Sequence, residues 1–300
     1  MTRAWPWLRA AVAAALLAAV VRRLGTGPFL DGIRAVDGGA LAVAGAVGLV
    51  TTVCCAWRWS VVARGLGVPL SLSSAVTAYY RSVFLNLLLP GGVAGDVHRG
   101  VRHGREVQDV GRALRAVVWE RAAGQFVQAV LTLVVLLALP SPVRFFVPFA
   151  AAALVALALA VVLVGRSRLG AVAADVRGGL LRRRALPVIV LASTVVVLGH
   201  AATFLVAART AGADASVSRL LPLALLAMLG MVLPSIAGWG PREGVTAWIF
   251  SAAGLGAVLG AATAVTYGVL VLAASLPGAL VLLAEWAPRP ARVVLAGRSR

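Results

Sequence analysis

The sequence predicts an all-α polytopic membrane protein, and three observations carry that prediction. Hydrophobic residues make up 61% of the 300 and charged residues only 13%, too few to coat a soluble globule of this length. Apolar runs long enough to cross a hydrocarbon core of roughly 30 Å recur from end to end. The formal net charge of +18 is carried entirely by arginine, with no lysine, and the arginines gather in short segments between apolar runs. That placement suits topology signals and anionic-lipid contacts. No nucleic-acid-binding motif accompanies it, so nucleic acid is not an expected partner.

The first apolar run, about Trp7 to Val21, exits into Arg22-Arg23-Leu24 rather than a small-residue cleavage site, which predicts an uncleaved span. The second, about Val36 to Trp57, ends at Trp57-Arg58-Trp59, an aromatic and basic pattern expected at a membrane interface. Cys54 and Cys55 within it are adjacent, lack ligand spacing and read as small packing residues. The third segment, Ser71 to Leu89, carries Arg81 and Asn86 and is broken by Pro90-Gly91-Gly92-Val93-Ala94-Gly95. Such a backbone leaves amides and carbonyls that hydrocarbon cannot satisfy. Uninterrupted spans are expected at about 113–139, 143–164, 185–208 and 257–284, with Gly256 and Gly260 as a close-packing pair. Between the last two lies a second broken region, Leu220 to Leu255, interrupted at Leu233-Pro234-Ser235-Ile236-Ala237-Gly238-Trp239-Gly240-Pro241.

Arginine asymmetry gives the orientation. Placing the N-terminal tail, residues 57–70, 96–115, 165–186 and the C-terminal tail in the cytoplasm puts 19 of the 28 arginines inside and 6 outside, leaving Arg81, Arg121 and Arg242 in membrane segments. Both flanks of the first broken segment then lie inside and both flanks of the second outside. The expectation is about eight hydrophobic segments, six full crossings plus two oppositely oriented re-entrant elements, with a possible inverted repeat. One domain, 1–300, divides into halves of about 1–139 and 140–288 and a basic tail, 289–300. Both termini are expected in the cytoplasm, and the site of residence is the cell (inner or plasma) membrane.

Charges that no loop accommodates are the candidate functional residues, because an Arg or Asp at the bilayer centre costs about 2.5–3.5 kcal/mol on insertion scales. They are Arg81, Asp96 and Arg99 around the first break, Glu120 and Arg121 in the next span, and Arg242 and Glu243 after the second. Structural ion pairing between helices is the alternative role for each. Arg242 and Glu243 point about 100° apart on a helix, so each is expected to find its partner across the bundle: Asp96 or Glu120 for the arginine, Arg99 or Arg121 for the glutamate. Asn86 belongs to the same polar set, and His200, mid-span, is read as a hydrogen-bond partner for a neighbouring helix, with a proton relay or a polar-headgroup contact as the alternatives. His98 and His103 lie in a basic segment and are expected at the surface. The backbone breaks themselves are marked by Pro90, Gly91, Gly92, Gly95, Pro234, Gly238, Gly240 and Pro241. No metal-ligand spacing or cofactor motif is present, and without lysine there is no nucleotide-binding P-loop.

Pro90 to Arg99, then Trp119-Glu120-Arg121, then Pro234 to Gly244 together resemble the signatures of the lysylphosphatidylglycerol synthase transmembrane, or flippase-like, family. Ala94 and Pro241 depart from the family pattern, while every charged motif residue is kept. The resemblance covers nearly the whole chain. It implies a module that moves, or helps to move, lipids with modified or glycosylated headgroups between leaflets, and the expected cargo is a headgroup-modified or polyprenyl-linked lipid. With the chain ending at Arg300, the aminoacyl transferase activity of the founding proteins is not expected. The implied partners are membrane lipids with anionic or modified headgroups and a lipid-modifying enzyme encoded nearby. The competing classes are an assembly partner for an envelope-lipid enzyme and an enzyme acting on lipid-linked intermediates, the latter lacking a catalytic constellation.

Overall fold

The computed structural model describes residues 27–89, 92–139, 144–166, 170–230 and 240–286. Within them the chain forms eleven α-helices: α1 (Gly27–Arg34), α2 (Gly38–Gly65), α3 (Leu72–Leu88), α4 (Ala94–Glu106), α5 (Val110–Ala138), α6 (Val147–Arg166), α7 (Gly170–Asp175), α8 (Leu186–Thr210), α9 (Val217–Gly230), α10 (Pro241–Ala252) and α11 (Ala257–Trp286). A π-helical turn, Val176–Leu180, follows α7. No strand occurs among the described residues. The expected first span, Pro90, Gly91, Pro234, Gly238 and the tail 289–300 lie outside them.

Four helices, α2, α5, α8 and α11, are long and apolar enough to cross a membrane by length and composition. The 28 residues of α2 extend about 42 Å at 1.5 Å per residue. Asp37 starts that helix, its carboxylate accepting the Ala40 N–H at 2.7 Å. The expected end at Trp57 is two turns too early. Helix α2 runs on to Gly65, and Arg58 and Trp59 are buried inside the bundle rather than anchored at an interface. The reason is a partner that sequence order conceals, the carboxylate of Glu120 on α5.

The broken segments become helical hairpins. At 17 and 13 residues, α3 and α4 reach only about 26 and 20 Å, short of the hydrocarbon thickness. Ser71 caps α3 by accepting the Ser74 N–H, Gly92 takes a left-handed φ of +66° in the turn, and α4 folds back along α3. Gly95 lies so close to the Ser82 carbonyl that no Cβ fits between them. Near the open end, His103 reaches the carbonyl of Val68, just before α3. Residues 96–115 are therefore not a loop: their first half is the returning limb of the hairpin, which buries His103 while leaving His98 exposed.

Helices α9 and α10 repeat the arrangement. Gly230, at the end of α9, packs against Val245 in the first turns of α10, and at the other end Arg219 of α9 donates to the Ala253 carbonyl after α10 at 2.7 Å. The two hairpins open at opposite ends of α2: the first beside Leu66 and Val68, the second where Val217 lines a cavity with Asp37, Gly39 and Ala40. Helix α11 packs on both, against α10 and α3. Its Gly260 sits tight on Thr246 and Ala247 of α10, as a packing glycine should. Gly256 does not share that role. It has open space around it and a φ of +91°, so it serves the turn into α11.

The described residues form three apolar clusters, a small one of Val197, Ala201, Leu225 and Met228 and two larger ones that hold the bundle. One gathers Trp59, Val62, Tyr79, Val117 and Trp119 around the first hairpin. The other gathers Phe204, Leu220, Leu223, Phe250 and Tyr267 around the second.

Candidate functional site

The polar centre of the molecule forms where the turn of the first hairpin meets α2, α5 and α8. Glu120 of α5 is fully buried. Its Oε1 accepts from Arg58 Nε of α2 at 2.9 Å and from the same guanidinium's Nη2, and the Tyr79 hydroxyl approaches it at 3.3 Å. Its Oε2 accepts from Arg99 Nη2 of α4 at 2.7 Å. Arg58 also donates through Nη1 to Ser193 Oγ of α8 at 2.9 Å. This approach is possible because residue 124, one turn after Glu120, is glycine: a Cβ there would stand 2.8 Å from Arg58 Nη1.

Arg99 is 1% exposed and held by two carboxylates and two aromatic rings. Its Nε donates to Asp96 Oδ1 at 2.9 Å, and its guanidinium carbon lies 4.5 Å from the Trp59 ring centre and 4.4 Å from that of Tyr79. Stacking on aromatic faces suits a planar guanidinium. Asp96 in turn accepts from Ser82 and from Asn86 Nδ2, each at 3.1 Å, and pairs through Oδ2 with Arg121 Nη2 at 2.7 Å. Asn86 completes the hairpin, its Oδ1 accepting the Gly95 N–H at 2.7 Å. One side chain thus supplies both a donor to the buried carboxylate and an acceptor for an amide that the break leaves free.

Three arginines, Arg58, Arg99 and Arg121, face two carboxylates, Asp96 and Glu120, across these contacts. The network therefore carries one formal positive charge in excess.

The second break has its own polar set, and here the expected partners are wrong. Arg242 donates through Nε and Nη2 to Glu243 Oε1 at 2.8 and 2.5 Å, so the adjacent pair does close on itself. The cause is the helix start: Glu243, in the first turn of α10, folds back so that its Oε2 accepts the Gly240 N–H at 2.6 Å, which brings Oε1 within reach of the long arginine. Gly240 has a φ of +108° and Pro241 opens the helix. Asp96 and Glu120 are meanwhile engaged by Arg58, Arg99 and Arg121.

The second set extends to α8 and α11. The Arg242 guanidinium lies over the Tyr267 ring at 5.8 Å and directly above Gly268, where no Cβ fits. The Tyr267 hydroxyl of α11 is 3.0 Å from His200 Nδ1 of α8. His200 thus makes the interhelical hydrogen bond read from its mid-span position.

Arg81 stands apart from both sets. It pairs with Glu285, at the end of α11, at 2.5 Å, and Arg102 takes the other oxygen of the same carboxylate at 2.7 Å. Sequence reasoning missed Arg58, Tyr79, Ser82, Ser193, Tyr267 and Glu285. Arg58 alone left a signal, an arginine followed by further apolar residues, and the Trp-Arg-Trp pattern masked it.

A bundle of long apolar helices, entered from opposite ends by two short hairpins with a buried ionic network at the first break, defines a polytopic α-helical membrane protein with an internal polar site. Its family follows from the sequence match. The chain belongs to the family described as lysylphosphatidylglycerol synthase TM region, whose model matches residues 7–278. No match is found among curated proteins or among solved structures.

Proposed function

We propose that this protein moves lipids with anionic, modified or polyprenyl-linked headgroups between the leaflets of the cell membrane, acting as a transporter rather than an enzyme, with both termini in the cytoplasm. The observation that carries the reading is the uncompensated positive charge of the network at the first break. Arg58 and Arg99 are buried and matched by carboxylates, so the excess rests on Arg121, whose side chain is 41% exposed beside Asp96 and open to an anionic headgroup phosphate, the counter-ion that a membrane supplies. Arginine forks suit phosphate oxygens, and the opposed hairpins supply two entries that open at opposite ends of the bundle. Asp96, Glu120 and Glu243 keep the arginines neutralised between substrates or meet a cationic group on a modified headgroup. Arg242, Glu243 and His200 form the second half of the path. The family adds support, since its description names a lipid synthase.

The test is inter-leaflet exchange of labelled phosphatidylglycerol, aminoacylated phosphatidylglycerol and a polyprenyl phosphate in liposomes containing the purified protein. Exchange above the protein-free rate is expected, with loss in Arg99→Lys and Arg242→Lys. Normal folding with no exchange of any of these lipids would overturn transport and favour an assembly partner for a lipid-modifying enzyme.

A further inference from the structure

The open end of the first hairpin holds a cavity of about 280 Å³ between α2, α3, α4 and the end of α11. Trp59, Arg81, Arg99 and His103 line it, together with the hydroxyl-bearing Ser74 and Thr77. Eight buried side-chain nitrogen or oxygen atoms lack a hydrogen-bond partner among the described residues, and four of them belong to residues of this lining: Trp59 Nε1, Arg81 Nε, Arg99 Nη1 and His103 Nδ1. Each of these residues is at least nine-tenths buried. Buried polar groups are nearly always paired, so their concentration on one small cavity points to a missing ligand.

The chemistry of the four atoms says which ligand. An arginine Nε–H, an arginine Nη–H and an indole N–H only donate. His103 Nε2 lies 3.1 Å from the Val68 carbonyl, which only accepts, so Nε2 carries the hydrogen. Nδ1 is then an acceptor in the neutral ring and a donor in the imidazolium. The two carboxylates on the wall are already occupied, Glu285 by Arg81 and Arg102 and Glu106 by Arg102. What is left over is three donors and one convertible group, offered from three different helices. A planar carboxylate has two oxygens in one plane, whereas a tetrahedral phosphate presents oxygens in four directions.

We propose that this cavity is a phosphate-group site, in which Trp59, Arg81 and Arg99 donate to phosphoryl oxygens. His103 Nδ1 accepts from the P–OH of a monoester or of inorganic phosphate, or as imidazolium donates to a phosphoryl oxygen, which is the one contact open to a phosphodiester headgroup. The volume is below the roughly 300–1,000 Å³ of drug-sized sites, so it takes a headgroup or a free phosphate and not an acyl chain. Arg99 and Arg81 also belong to the proposed lipid path, but the site requires only binding, not translocation.

The full chain in maltoside micelles free of phosphate is titrated calorimetrically with inorganic phosphate and, separately, with phosphatidylglycerol. Trp59→Phe keeps an aromatic ring beneath Arg99 and removes the indole N–H together with part of the buried bicyclic ring, so its unfolding midpoint is compared with that of the wild type. His103→Gln keeps a donor for the Val68 carbonyl and removes Nδ1. Saturable binding is expected in the wild type, weakened at least about tenfold in each variant, as loss of a hydrogen bond to a charged group implies. Phosphatidylglycerol binding that inorganic phosphate cannot match identifies a lipid headgroup as the source, and tight inorganic phosphate binding identifies a soluble one. Absence of saturable binding of either probe to the folded wild type overturns the proposal, as does wild-type affinity in both variants. Lipid exchange that persists when binding is absent leaves the transport reading standing, and binding without exchange leaves the site standing.

Discussion

Glu120→Gln is the substitution that most directly examines the buried network. Glu120 is fully buried and accepts from Arg58, Arg99 and Tyr79. Glutamine keeps its shape and one carbonyl acceptor but removes the charge, so three arginines would face Asp96 alone. The excess rises from one positive charge to two. Removing one partner of a buried ion pair costs about 3–5 kcal/mol, because the remaining charge stays buried without compensation. Arg58→Met in the same background returns the excess to one and replaces the guanidinium stem with an apolar chain of similar reach. The double variant is therefore expected to recover part of the loss, with a coupling energy of about 1–3 kcal/mol. Reversible unfolding in mixed micelles measures all four corners of the cycle. Additive losses for the two single substitutions, or a stability of Glu120→Gln within about 0.5 kcal/mol of wild type, would refute the network as drawn.

Gly268→Ala drives a methyl group into the Arg242 guanidinium and is expected to cost about 1–3 kcal/mol; Gly45→Ala on α2, with open space around it, is expected to be neutral or stabilising by about 0.5–1 kcal/mol, both read by the same unfolding assay. Asn86→Ala strands the Gly95 amide and removes a donor from Asp96, an expected loss of about 1–3 kcal/mol with faster proteolysis at the hairpin turn. With Cys54 and Cys55 replaced by alanine, a cysteine at exposed Asp214 should react with an impermeant thiol reagent in intact cells, whereas one at exposed Gln108 should react only after permeabilisation. Equal labelling of both positions would show that the two hairpins do not open on opposite faces.

Composition and run length by themselves determined that the chain is a bundle of membrane helices, because backbone in lipid must satisfy its own hydrogen bonds and only long apolar helices do so. The positions of both backbone breaks were equally plain, since Pro90 to Gly95 and Pro234 to Pro241 interrupt runs that otherwise read as continuous. Arginine asymmetry predicted opposed orientation, and the first hairpin opening beside Leu66 and Val68 at one end of α2 and the second beside Asp37 and Ala40 at the other agree with it.

Which charge meets which was decided only by the tertiary structure. Arg58 and Glu120 are 62 residues apart, and Arg81 and Glu285 are 204 apart; no local pattern encodes pairs that depend on which helices become neighbours. The same reason explains why Arg58 read as an interface anchor and His103 as a surface residue. Arg242 and Glu243 failed in the opposite direction, since helical geometry argued against an adjacent pair until the capping of Gly240 bent the glutamate back toward its neighbour. Local rules set the helices and their interruptions because those depend on each segment's own backbone and apolar run, whereas the polar site depends on the order in which the helices pack.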